Sequence, residues 1–114
     1  MRYALLIYGR PGTTTVTDDD GLPADVETLL ARPEVTTWAR LQPADSATTI
    51  RANARDLLTT DGPFIDSKEY LAGLILIEAA SLDEALAFAR ELQATRTDGA
   101  IELRPTRDGH ACAT

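Results

Sequence analysis

The 114 residues carry 18 acidic against 11 basic side chains, for a formal net charge of −7, and one cysteine. That length fits one domain with a single core, and 44% hydrophobic residues are enough to fill it. The acidic balance excludes a phosphate-tracking nucleic-acid binder and an anionic-membrane binder, and one cysteine excludes an internal disulfide.

The opening apolar run, residues 3–8, reads as a buried strand ended by Gly9 and Pro11. It is too short for a signal peptide or a membrane span, so a soluble cytoplasmic protein is expected. Residues 13–23 are polar and contain Asp18, Asp19, Asp20 and Gly21, which reads as a solvated loop. A calcium loop needs oxygen ligands at alternate positions and a downstream bidentate glutamate, and this run lacks that spacing. A short helix is predicted over residues 24–31, with Pro23 in its first turn, Asp25 and Glu27 at its positive end and Pro33 after it.

The middle of the chain reads as two or three strands, at residues 36–41, 47–51 and 56–60, two of them a hairpin turning at 52–55. Residues 71–79 have the apolar density of a central strand covered on both faces. Ser81 and Glu84 form a capping box before a helix in which Leu82, Ala85, Leu86, Ala89 and Leu92 recur at helical spacing. Gly99 precedes an alternating strand at 101–104, closed by Pro105. One domain is expected over residues 1–106, with a flexible tail at 107–114.

This order predicts an α+β fold with helices on one face of a mainly antiparallel sheet. Two helices cover one sheet face only. The bare face calls for a second copy of the chain, so a homodimer is expected.

The stretch Asp61-Gly62-Pro63-Phe64-Ile65-Asp66-Ser67-Lys68-Glu69 resembles the signature of the DGPF-motif branch of the YCII-related (YciI-like) family. Its usual run is D-G-P-F-A-E-[ST]-K-E, so only Ile65 and Asp66 differ. The opening strand, Leu41-Gln42-Pro43, the strand at 47–51, Leu82-Asp83-Glu84-Ala85 and the closing Ile101 to Pro105 segment resemble the same family. The resemblance implies a ferredoxin-like domain pairing into a dimeric α/β barrel, with a cleft between sheet and helices. It also implies a bacterial setting, many relatives being encoded beside extracytoplasmic-function sigma factors. Catalysis within the wider family, a dehydrochlorination, is attributed to a His–Asp pair. Here the single histidine, His110, lies in the tail, and the region before Val35 is short and polar.

The candidate site residues follow. Asp61 reads either as a turn residue or as a general acid/base, a role that requires burial or a neighbouring charge. Pro63 restricts Gly62, and Phe64 is expected to anchor the loop in the core with Tyr3 and Phe88. Lys68, the only lysine, stands beside Glu69 and can bind an anion or form exposed ion pairs. Tyr8, Tyr70 and Trp38, with apolar bodies and polar atoms, are expected at a ligand pocket, with Arg40 and Arg10 supplying charge. The ligand-binding set is therefore Tyr8, Arg40, Lys68, Glu69 and Tyr70. His110 and Cys112 are two ligands at most and make no zinc site, so neither metal nor cofactor is expected.

The expected function is a non-catalytic small-ligand-binding or regulatory accessory module using the dimer cleft, with a small molecule or a regulatory protein such as a sigma factor as partner. The alternative is a YCII-type lyase with Asp61 as acid/base.

Overall fold

In the computed structural model, which describes residues 1–10, 21–65 and 68–110, four antiparallel strands form the sheet that carries the core. In chain order the elements are β1 (Arg2–Gly9), α1 (Ala24–Leu30), β2 (Val35–Arg40), a 3₁₀ turn (Ala44–Ser46), β3 (Thr48–Asn53), β4 (Asp56–Asp61), β5 (Tyr70–Glu78), α2 (Leu82–Gln93) and β6 (Ala100–Pro105). The spatial order is β2-β5-β1-β6, which is the ferredoxin-like β-α-β-β-α-β arrangement once β3 and β4 are set aside. Those two strands pair only with each other, as a hairpin inserted between β2 and β5.

Strand alternation explains the core. Tyr3 and Leu5 on β1 and Ile75 and Ile77 on β5 point to the helices, where they meet Leu29 of α1 and Ala85, Phe88, Ala89 and Leu92 of α2. Each fully buried side chain of this kind, Leu5 and Ile77 above all, contributes about 1.5–3 kcal/mol. The alternate residues Ala4, Leu6, Leu74 and Leu76 face away from both helices and are half-buried. The central strand β5 is therefore covered by helices on one face only, and the other remains open.

Pro23 takes the N-cap position of α1 rather than its first turn, and its carbonyl accepts from Glu27 N at 2.9 Å. The α2 cap follows its sequence signature: Ser81 Oγ accepts from Glu84 N at 3.2 Å. Glu84 in return accepts from Ala80 N at 3.0 Å, one residue earlier than the usual capping-box partner. The strand at 101–104 extends to Pro105, and Thr106 is tied back to Arg2 O through both its backbone N–H, at 2.9 Å, and its hydroxyl, at 3.0 Å. The polar run at 13–20, including Asp18 to Asp20, lies outside the described residues, as does Cys112; His110 is exposed.

The expectation for Phe64 is corrected. Its ring is 66% exposed instead of anchored in the core, and its polar company is the Arg51 guanidinium at 5.2 Å from the ring centroid. The inserted hairpin is the physical reason, since it joins the 61–65 turn to β3 rather than to the sheet. Gly62 N donates to Ala47 O at 2.7 Å, and Thr49 Oγ1 donates to Gly62 O at 2.7 Å. Gly62 itself has φ +99°, the mirror-image backbone region that glycine adopts without strain.

Candidate ligand-binding cleft

One end of the sheet gathers most of the candidate residues. The carboxyl ends of β1 and β2 and the amino ends of β5 and β6 meet there, bringing Tyr8, Arg40 and Tyr70 to neighbouring strands, with Glu69 and Lys68 just before β5. A β-bulge marks this end: Ile7 pairs with Gly73 but Tyr8 pairs with Leu71, so Ala72 is the extra residue. Its carbonyl accepts from Leu41 N at 2.8 Å, which fixes the exit of β2 against β5. Gly73 is needed for that closeness, because a Cβ there would stand 2.9 Å from Ala39 O.

The same register divides the set between two faces. Arg40 pairs with Gly73 and Tyr70 with Gly9, both on the helix-facing side, where Trp38, 41% exposed, lies two residues from Arg40. Tyr8 pairs with Leu71 on the open face. Arg40, Tyr70 and Trp38 thus share the helix-facing side of the sheet, whereas Tyr8 lies on the other. Lys68 is exposed and makes no ion pair with a described residue.

Asp61 stands apart, at the base of the hairpin and paired with Thr48. It is exposed and forms no ion pair with a described residue. Asp66 and Ser67 lie outside the described residues. Among the described residues no three His, Cys, Asp or Glu side chains converge as a metal site would need.

Arg96, unnoticed in the sequence, is the centre of this end of the molecule. It follows α2, and its Nη2 donates to Tyr8 O at 2.6 Å while Nη1 donates to Gln93 Oε1 at 3.1 Å and Ala100 O at 3.4 Å. Gln93 Nε2 donates in turn to Gly99 O at 3.1 Å. Burial lowers the Arg96 pKa from its ordinary range, and the Asp98 and Glu69 carboxylates oppose that shift. Glu69 is therefore electrostatically coupled to the guanidinium. Gly99 has φ +81°, and a Cβ there would collide with the Tyr8 carbonyl and the Arg96 guanidinium. The glycine three residues after an arginine at a helix end was the available signal, but its meaning depends on β1 lying alongside.

The strand order and the two helices on one face define an α+β protein of the ferredoxin-like type. The chain belongs to the YCII-related domain family, whose profile matches residues 1–108. It is also 37% identical over 113 residues to the uncharacterized protein R00369 of Rhizobium meliloti (strain 1021), an alignment covering 92% of this chain and 91% of that protein. No helix among the described residues is long and apolar enough to cross a membrane.

Proposed function

We propose that this protein, as a member of the DGPF branch, is a non-catalytic small-ligand-binding or regulatory accessory module of the cytoplasm. Its ligand occupies the cleft beside Trp38, Arg40 and Tyr70. The observation that carries the reading is that exposed Asp61 forms no ion pair with a described residue, together with the exposure of the only histidine, His110. An arginine on the same sheet face as an indole and a phenol suits a small anion with an apolar body.

The cleft works in a homodimer of the dimeric α/β-barrel kind. Ala4, Leu6, Leu74 and Leu76 form the apolar centre of the open face, and the Arg2–Glu78 pair, at 3.1 Å, lies at its rim. Its charges are matched within the chain, so a second copy can cover the face without stranding an ion. A regulatory protein, a sigma factor among them, would read the ligand state from the same assembly.

The test is a thermal-shift panel of small carboxylic acids and phenols on wild type and Asp61→Asn. The reading expects a compound that raises both melting temperatures alike. A compound consumed by wild type and left intact by Asp61→Asn would instead establish the lyase alternative.

A further inference from the structure

The β3–β4 hairpin is the least supported part of the fold. A two-stranded ribbon alone is marginal in water, and here Ile50 and Leu57 are 68% and 73% exposed. Its backbone has a defined polarity. Gly62 N donates to Ala47 O, so residues 47 and 62 form a hydrogen-bonded pair and, by alternation, so do Thr49 with Thr60 and Arg51 with Leu58. The backbone groups of Thr48, Ile50 and Ala52 therefore point away from β4, along the free edge of β3. That edge is also a groove of about 420 Å³, lined by Thr49, Ile50, Arg51, Ala52 and Phe64 and by no residue of β4.

We propose that this groove is an interaction surface for a second copy of the chain, and that β3 pairs antiparallel with its own counterpart to join two hairpins into one four-stranded sheet. The register follows from charge. Centred on Ile50, the pairing sets Ile50 against Ile50 and Thr48 against Ala52, using all the outward backbone groups in about six hydrogen bonds. Arg51 then stands opposite Thr49, with the two guanidiniums on a diagonal and each facing its own Phe64 ring. Centred on Arg51, the guanidiniums would oppose each other directly. Centred on Thr49, Ala52 would have to pair with Ser46, whose N–H already donates to Pro43 O at 2.9 Å. Only the Ile50 register satisfies both charge and backbone. This contact is separate from the open sheet face.

Two experiments test it. Ile50→Pro removes an outward N–H, a substitution an edge strand accommodates, and should halve the mass seen by sedimentation equilibrium. In a Cys112→Ser background, a mixture of Thr49→Cys and Arg51→Cys chains should oxidise to a disulfide-linked dimer, because a non-hydrogen-bonded pair brings the two Cα atoms to about 4.5 Å. Thr49→Cys alone, whose copies lie a diagonal apart, should not, and Leu74→Glu on the open face should leave the cross-link in place. An unchanged mass for Ile50→Pro together with no disulfide in the mixture would overturn the proposal. Equal cross-linking by Thr49→Cys alone would overturn its register, and the proposal with it.

Discussion

Arg96 Nη2 donates to the Tyr8 carbonyl at 2.6 Å, across 88 residues of sequence, and this bond clamps the end of β1 to the segment joining α2 and β6. The clamp also accounts for Gly99, which leaves room for the guanidinium. Arg96→Gln, which shortens the side chain and removes its charge, should destabilise the protein by about 1–3 kcal/mol, the cost of a charge-assisted bond and a carbonyl left without its donor. Gly99→Ala should cost about as much or more, because positive φ and the collision act together. Urea denaturation of the two variants measures both.

The α2 cap supplies a second prediction. Ser81→Ala removes the acceptor of Glu84 N and should cost about 1 kcal/mol in the same assay. Glu84→Ala should cost less, because the Ala80 N–H it serves is exposed to water.

A third concerns pH. Arg32 Nη1 meets Glu91 Oε2 at 2.5 Å, and the hydrogen bond to Arg32 lowers the Glu91 pKa from its ordinary 4.5. A depressed carboxylate stabilises the fold above its unfolded pKa and loses that contribution as pH falls through the folded value. The melting temperatures of wild type and Arg32→Ala should therefore differ at pH 7 and converge below about pH 4. A constant gap across that range would show that Arg32 acts instead through its packing over Phe88, where its guanidinium sits 5.9 Å from the ring centroid.

The hairpin turn gives a fourth. Ala54 has φ +55° and is the only non-glycine described residue in the left-handed region. It occupies the first position of the two-residue turn between Asn53 and Asp56. Ala54→Gly should relieve that strain and slow amide exchange across β3 and β4, corresponding to about 0.5–1 kcal/mol of local stability.

What the sequence disclosed and what it hid divide along physical lines. The strands at 3–8 and 71–79 and most of the α2 face were legible because apolar density and the 3.6-residue period act locally, although Leu82 is 50% exposed and the second face of β5 is open. The Ser81 cap was legible for the same reason. The misplacement of Phe64 arose because an aromatic beside a turn looks the same whether the turn touches the core or an inserted hairpin. Tyr8 and Tyr70 were grouped as one pocket because both sit at strand ends. Their assignment to opposite faces depends on pairing register and on the Ala72 bulge, and neither is written in the flanking residues. Arg96 was invisible because its partners, Tyr8 and Ala100, come from two strands that meet only in the folded sheet.

The proposed ligand site lies beside Trp38 and Arg40, and the single tryptophan of the chain reports on it. The most direct measurement is Trp38 fluorescence during titration with any compound that raises the wild-type melting temperature. The account predicts a saturable change in emission with one ligand per chain, abolished by Arg40→Ala and retained by Asp61→Asn. A stabilising compound that leaves Trp38 emission unchanged, or a response indifferent to Arg40, would contradict it.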